Sequence, residues 1–160
     1  KTPFQILIDR VLSMWTYKII AVSNEGKEIK DLKQKIQDYI LPLADSRGIQ
    51  ANIKIPKSVE DIYLPMKMKK NLYLVIKEAL NNALKHSRAT EISLTIEYNA
   101  GNLKTTIHDN GIGFDISQLS EDQKGYGLNN MRNRITEIGG DFSIETNTQG
   151  TTILISTKIK

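Results

Sequence analysis

Residues 69–87 read KKNLYLVIKEALNNALKHS, and this stretch decides the fold. Its apolar side chains recur three and four residues apart, which is the spacing of one face of an α-helix. They are Leu72, Val75, Ile76, Ala79, Leu80, Ala83 and Leu84. The spacing therefore predicts a helix over 69–87 that packs one broad apolar face against a core.

The opposite side of this predicted helix carries polar groups. At about 100° per residue, Glu78, Asn82 and Lys85 fall within about 60° of one another. A carboxylate, an amide oxygen and an ammonium group on one side suit a site for magnesium and a nucleotide, because Mg²⁺ prefers oxygen ligands and lysine offsets phosphate charge. A solvated face of any surface helix has a similar composition, so the spacing alone leaves both interpretations open.

After residue 91 the apolar period changes from helical to alternating, which predicts strands. Between the second and third strands, apolar residues at helical spacing and a Gly-Gly pair predict another helix and its end. One face of each strand holds, in order, Ile92, Leu94, Ile96 and Tyr98; Leu103, Thr105, Ile107 and Asp109; Phe142, Ile144 and Thr146; and Thr151, Ile153, Ile155, Thr157 and Ile159. The intervening helix holds Leu128, Met131, Ile135 and Ile138 and closes at Gly139-Gly140.

The residues before 69 predict two more helices and a short strand. The first helix carries an apolar stripe from Phe4 to Trp15, and a break follows at 24–26. The second carries Leu32, Ile36, Tyr39, Ile40 and Leu43 and ends at Gly48; Ala51, Ile53 and Ile55 then alternate as in a strand, and 57–70 is predicted to be a loop. We expect an α/β two-layer sandwich, a mixed sheet of about five strands with helices on one face. Residues 1–48 are predicted to be an N-terminal helical linker, and 49–160 the main domain.

Asp109 is the most informative charged residue. It shares a strand face with Leu103, Thr105 and Ile107, and a carboxylate on the core side needs a partner. The turn that follows, Asp109-Asn-Gly-Ile-Gly-Phe114, lets the backbone approach a ligand closely. The carboxylate could accept a hydrogen bond from the amino group of a base, or it could cap an ordinary Asp-Asn-Gly turn.

Two further motifs are weaker by themselves. Gly125-Tyr126-Gly127-Leu128 leads into a helix, whose first backbone amides favour phosphate, although such a glycine pair is also typical of a flexible loop. Thr151 alternates with Ile153, which points its hydroxyl to the core side and could bring it next to Asp109. A threonine of good β propensity explains the same position.

Composition excludes several classes of function. The chain of 160 residues has no cysteine, which excludes disulfide scaffolds and thiolate metal sites, and only two histidines. Its net charge of +4 is concentrated in residues 1–90, with 16 Lys and Arg against 9 Asp and Glu. These cations are interspersed with acids and lack interleaved aromatics, so we do not expect nucleic acid as a partner. No apolar run is long enough to span a membrane. The chain begins at Lys1, and we expect a segment of a longer protein.

Four motifs in order resemble the Bergerat-fold ATPases, a superfamily that includes histidine kinases, gyrase, MutL and heat-shock chaperone ATPases. Glu78-Ala-Leu-Asn-Asn82-Ala-Leu-Lys85-His86-Ser87 is similar to the asparagine box, Asp109-Asn-Gly111-Ile-Gly113-Phe114 to the first glycine box, Gly125-Tyr126-Gly127-Leu128-Asn-Asn-Met131 to the second, and Gly150-Thr151-Thr152 to the closing threonine motif. The match covers about 69–158. The residues within these motifs most resemble those of histidine kinases that pair with helix-turn-helix response regulators.

The resemblance implies a role for each matching residue. In the asparagine box, Asn82 would bind Mg²⁺, Glu78 would orient or activate the attacking group, and Lys85 would contact phosphate with His86 beside it. In the later motifs, Asp109 would accept from the adenine amino group with the support of Thr151, Gly111 and Gly113 would give room for the base, and the segment Gly125, Tyr126, Gly127 and Leu128 would contact ATP at the end of a lid.

The implied activity is phosphoryl transfer from MgATP to a histidine of a separate helical domain of the same kinase, with a response regulator downstream. Neither His86 nor His108 fits the phosphoacceptor pattern, and His108 is expected on the outer face of its strand. The resemblance also implies a cytoplasmic domain, dimerisation through the helical domain, and a full-length protein whose membrane anchoring is left open. A serine kinase of the anti-sigma-factor type, a non-catalytic ATP-sensing module and an ATP-driven clamp are the alternatives.

Overall fold

The computed structural model describes residues 28–114 and 127–159. The predicted helix over 3–15, the break at 24–26, and both Gly125 and Tyr126 lie outside the described residues. The helices are α1 (Ile29–Asp45), α2 (Lys57–Glu60), α3 (Met66–His86) and α4 (Gly127–Thr136). The strands are β1 (Gln50–Lys54), β2 (Glu91–Asn99), β3 (Asn102–Asp109), β4 (Asp141–Asn147) and β5 (Gly150–Lys158).

The strands form one five-stranded sheet in the order β1-β2-β3-β5-β4. β1 pairs with β2 in parallel, and the other three pairings are antiparallel. The predicted mixed sheet is therefore confirmed. The hairpin β2–β3 turns at Ala100 and Gly101, which both have positive φ, as a two-residue turn of this kind requires. β3 and β5 are neighbours in the sheet although α4 and β4 separate them in the chain.

The helices cover one face of the sheet, as predicted. Alternation along β3 shows why: Leu103, Thr105, Ile107 and Asp109 are buried, whereas the residues between them are half-buried or exposed. β2 follows the same pattern with Ile92, Leu94 and Ile96. The buried faces of α1, α3 and α4 join these strand residues in a single cluster. An alternating strand thus buries its apolar face against helices and leaves the other face to solvent.

α1 packs into the same core. Leu32, Ile36 and Ile40 are essentially inaccessible to solvent. Asp31 Oδ2 accepts a hydrogen bond from the buried Lys69 ammonium on α3 over 3.3 Å. At the other end, the guanidinium of Arg47 donates to the carbonyl of Leu84 over 2.7 Å, which satisfies a carbonyl in the last turn of α3. α1 therefore shares the core with the sheet, and the division of the chain at residue 48 stays a prediction.

The predicted loop over 57–70 is wrong. The structure has the short helix α2 there, and α3 begins at Met66 rather than at residue 69. Val59 and Met68 are buried and anchor these two segments to the core. Sequence periodicity did not predict the first turn of α3. Met66, Lys67 and Lys70 are exposed there, so the turn has no apolar repeat. Within the described residues, no helix has both the length and the apolar character needed to span a membrane.

Candidate functional site

A cavity of about 520 Å³ opens between α3, the start of α4 and the inner face of the sheet. Eight of the residues to which the family resemblance gives a role line it: Glu78, Asn82, His86, Asp109, Gly113, Gly127, Leu128 and Thr151. The rest of its wall is mostly apolar and consists of Ala79, Ala83, Ser87, Ile107, Phe114, Ile144 and Ile153. Residues separated by 73 positions in the chain thus meet at one concave site.

α3 gives the cavity its polar side. Glu78, Asn82 and His86 follow one another at intervals of four residues, so they form one row along the helix. Glu78 and Asn82 are half-buried and His86 is exposed. Lys85 is also exposed but does not line the cavity, because it lies about 100° around the helix from His86. The row therefore presents a carboxylate, an amide and an imidazole to a ligand.

The sheet gives the cavity a buried acid at its other side. Asp109 is only 6% exposed, and its Oδ1 accepts a hydrogen bond of 2.9 Å from the backbone N–H of Gly111. Thr151 is paired with Asp109 across β3 and β5, as the alternation in the sequence suggested, and is also buried. A buried carboxylate needs hydrogen-bond donors. The second oxygen of Asp109 is thus suited to accept from a donor on a ligand.

The glycines after Asp109 are required by close backbone contacts. The N–H of Ile112 donates to the carbonyl of Ser87 over 2.8 Å, and a Cβ on Gly111 would overlap that carbonyl. Gly113 has a φ of +61°, and a Cβ there would overlap the carbonyl of Asn147. The turn is therefore pressed between the end of α3 and the end of β4. Gly111 packs against Ser87 at the end of α3 and does not line the cavity, whereas Gly113 lines it.

Ser87 and the apolar wall are parts of the site that were not predicted from the sequence. Ser87 Oγ donates to the carbonyl of Ala83 over 2.6 Å and accepts from the N–H of Ala89 over 3.0 Å, so it ends α3 at the cavity. Ile107, Ile144 and Ile153 were predicted to be core. The sequence did contain a signal that two of them belong to the site. Ile107 lies two residues from Asp109, and Ile153 lies two residues from Thr151, in each case on the same strand face.

His108 lies on the other face of β3, away from the cavity. Its Nδ1 is 3.0 Å from the hydroxyl of Thr152 on β5, in a half-buried pair. The prediction that His108 faces away from Asp109 is therefore confirmed, although its ring is less exposed than a plain surface position. Of the two histidines, only His86 contacts the cavity.

The two sides of the cavity differ in chemistry. One combines apolar side chains with the carboxylate of Asp109, which suits a flat aromatic ring that carries a donor. The other has the polar row of α3 and the first residue of α4, Gly127, where a Cβ would lie 3.5 Å from Glu78 Oε1. Backbone N–H groups at a helix start favour anions. The arrangement therefore fits a ligand with an aromatic base and an anionic tail.

The sequence family that matches the chain is "Histidine kinase-, DNA gyrase B-, and HSP90-like ATPase", over residues 68–160. The sensor protein VraS of Staphylococcus haemolyticus is 35% identical over 119 residues, which are 74% of this chain and 30% of VraS. The chain thus spans less than a third of that relative.

Solved structures show the same fold. The histidine kinase domain of the blue-light activated kinase EL346 from Erythrobacter litoralis matches with a TM-score of 0.70 at 17% identity, over 84% of this chain and 64% of that one. The Acinetobacter baumannii histidine kinase AdeS matches with a TM-score of 0.69 at 16% identity, over 98% of this chain and 84% of that one. The family match covers more than half of the chain and includes every residue that lines the cavity. The chain therefore belongs to the histidine kinase-, DNA gyrase B- and HSP90-like ATPases, and ATP is the ligand that this membership implies.

Proposed function

We propose that this chain is the ATP-binding catalytic domain of a sensor histidine kinase. It transfers the γ-phosphoryl group of ATP to a histidine on a separate helical domain of the same kinase. The observation that carries the proposal is one cavity with Asp109 and Thr151 on one side and Glu78 and Asn82 on the other. That layout separates recognition of a base from handling of phosphate.

The base lies between the apolar walls in this proposal. The adenine amino group donates to Asp109, whose other oxygen is already engaged by the N–H of Gly111. Thr151 supports this contact from the neighbouring strand. Gly111 and Gly113 keep the turn thin, because a side chain at either position would collide with the main chain. The base therefore contacts backbone and apolar surface on its faces and a carboxylate at its edge.

The phosphates lie along α3 in this proposal, where residues of the helix would hold Mg²⁺. No group of three or more His, Cys, Asp or Glu side chains able to hold a metal occurs in residues 28–114 and 127–159. Asn82 and Glu78 nevertheless supply oxygen donors one helical turn apart, and Mg²⁺ is ordinarily held by few protein oxygens together with phosphates and water. The donor set fits the ion, which would neutralise phosphate charge. Asn82 is its proposed ligand.

The remaining predicted contacts are with the phosphate chain. Gly127 and Leu128 start α4 beside Glu78, where backbone N–H groups favour an anion. His86 is exposed at the end of the α3 row and can contact phosphate, and the exposed Lys85 can reach it from the next position. Gly125 and Tyr126 are further proposed ATP contacts, because their motif resembles the second glycine box of the family.

Transfer then requires positioning more than covalent chemistry by the protein. An imidazole nitrogen of the acceptor histidine attacks the γ-phosphorus, and the bond from that phosphorus to the β,γ-bridging oxygen breaks. The N–P bond forms and ADP leaves with the electron pair. Glu78 accepts a hydrogen bond from the other imidazole N–H and takes up its proton, which keeps the attacking nitrogen nucleophilic.

The comparisons favour this function over the alternatives. The relatives and structural neighbours named above are described as a sensor protein and histidine kinases rather than as serine kinases or clamps. We therefore propose a phosphoacceptor domain and a response regulator as partners, dimerisation through the phosphoacceptor domain, and a cytoplasmic location for this domain. Membrane anchoring of the full-length protein is compatible with the proposal and is not required by it.

The test combines this chain, labelled ATP with Mg²⁺, and the phosphoacceptor domain of the full-length protein. We expect acid-labile phosphate on that domain and none when its acceptor histidine is replaced by glutamine. Acid-stable phosphate on a partner's serine would instead support the anti-sigma-factor type of kinase. ATP binding without any transfer would support the sensing module.

A further inference from the structure

Thr146 lies behind the cavity wall and contacts two residues that form it. Its Oγ1 accepts a hydrogen bond of 2.9 Å from the backbone N–H of Phe114 and lies 3.3 Å from Thr151 Oγ1. Phe114 and Thr151 line the cavity, whereas Thr146 does not. Thr146 and Thr151 are paired across β4 and β5, and Thr151 is paired with Asp109 across β5 and β3. One hydroxyl group therefore joins the end of the glycine turn to the residue opposite Asp109.

The turn is held tightly at this point. A Cβ on Gly113 would overlap the carbonyl of Asn147 and would lie 2.8 Å from Thr146 Oγ1. The backbone between Gly113 and Phe114 therefore rests on the end of β4. The N–H of Phe114 would be left without this acceptor if the Thr146 hydroxyl were removed.

We propose that Thr146 is a positioning residue that sets the selectivity of the cavity for adenine, a role that rests on the proposed binding of ATP at Asp109. A hydroxyl group has one proton and two acceptor positions. Thr146 uses one acceptor position for the N–H of Phe114. The contact between the two threonine hydroxyls allows either one to be the donor, and the proposal assigns the donor role to Thr146 and the acceptor role to Thr151 Oγ1. The proton of Thr151 then points toward the cavity, where it serves an acceptor on the ligand directly or through water.

This direction of the hydrogen bonds matches adenine. The edge of adenine presents an amino donor beside a ring-nitrogen acceptor. Asp109 accepts from the first, and the proton of Thr151 is donated toward the second. Hypoxanthine and guanine present a carbonyl acceptor beside a ring N–H, which reverses both requirements. A mismatch places acceptor against acceptor at Asp109, and a buried polar group without a partner is costly.

Calorimetric titration of ATP and of inosine triphosphate into the purified chain tests this role. Thr146→Val keeps the shape and the β-branching of the side chain but removes both hydrogen bonds. We expect about a tenfold loss of ATP affinity and a smaller change for inosine triphosphate, so that the preference for ATP falls. Thr146→Ser restores the hydroxyl and should restore the preference. Thr146→Ala should repeat the loss.

The matched control is Thr152→Val. Thr152 adjoins Thr151 on the same strand, but its hydroxyl faces the other side of the sheet and contacts His108. We expect its nucleotide affinities to equal those of the unmodified chain. Equal losses for both nucleotides in Thr146→Val would mean that Thr146 only supports packing, and unchanged affinities would mean that it has no role; either result overturns the proposal. Failure of the unmodified chain to bind ATP would contradict the proposed function itself.

Discussion

Asp109 and Thr151 face each other across β3 and β5, and both side chains are buried at the same cavity. Asp109 comes from a hairpin with β2, whereas Thr151 comes from a hairpin with β4. Their pairing places a carboxylate and a hydroxyl side by side on an otherwise apolar wall. The part of the site that we propose to bind the base thus depends on strand register rather than on one continuous motif.

Asp109→Asn should weaken ATP binding by about tenfold or more, because a hydrogen bond to a charged group contributes about 1.5–3 kcal/mol. If the amide oxygen keeps the hydrogen bond from Gly111 N–H, the amide NH₂ group faces the amino group of adenine, and two donors meet. Calorimetric titration measures the loss. Asp141→Asn, at an exposed position that starts β4, is the control and should bind normally. Normal ATP binding by Asp109→Asn would mean that Asp109 does not bind the adenine amino group.

Asn82→Ala should weaken binding of ATP in the presence of Mg²⁺ and leave metal-free binding nearly unchanged. The reason is that the amide oxygen of Asn82 is the proposed protein ligand of the ion. Titrations with Mg²⁺ and with EDTA separate the two effects. The neighbouring Asn81 does not line the cavity, so Asn81→Ala should behave like the unmodified chain. An equal loss under both conditions would mean that Asn82 contacts the nucleotide and not the metal.

Glu78→Gln should reduce phosphoryl transfer by about a hundredfold or more while ATP affinity changes little. A glutamine amide keeps the size of the side chain but cannot take up the imidazole proton. The measurement is the initial rate of acid-labile phosphate formation on the phosphoacceptor domain at saturating ATP. Glu97→Gln, on the exposed side of β2, should not change the rate. An unchanged rate in Glu78→Gln would rule out this proton transfer.

Thr157→Val should raise the free energy of unfolding by about 1 kcal/mol. Thr157 is 1% exposed, and its hydroxyl has no hydrogen-bond partner among the described residues. Valine fills the same space without a polar atom. Urea denaturation measures the change, and Thr95→Val on the outer face of β2 should shift the free energy by less than about 0.5 kcal/mol. Destabilisation by Thr157→Val would contradict the prediction, because it would mean that the hydroxyl makes a favourable interaction in the folded protein.

Periodicity predicted most of the fold because apolar faces and strand alternation are local properties. The strand β3 is the clearest case, since the register that buries Leu103 and Ile107 also buries Asp109. The start of α3 was missed because its first turn carries exposed lysines and no apolar repeat. The contact of Lys69 with Asp31 could not be predicted either, because nothing in a helical pattern indicates that tertiary packing will bury one of its lysines.

The site was predicted less completely than the fold. The helical repeat grouped Lys85 with Glu78 and Asn82, but the cavity lies on the side of α3 that also holds His86 and Ala83. The side of the polar face that meets the sheet depends on the rotation of the helix about its own axis when it packs. A single sequence does not determine that rotation. The proposed role of Thr146 depends likewise on a turn and a strand that are distant in the chain.

The order of the strands has a consequence for folding. The hairpins β2–β3 and β4–β5 can each close over a short loop, whereas the pairing of β3 with β5 must bring distant segments together. Contacts of large sequence separation carry the larger loop-closure entropy, so we expect this pairing to form after the hairpins. Asp109 and Thr151 then meet only when β3 pairs with β5. A partly folded chain with both hairpins intact would have no place for the adenine base, and ATP would stabilise only the completed sheet.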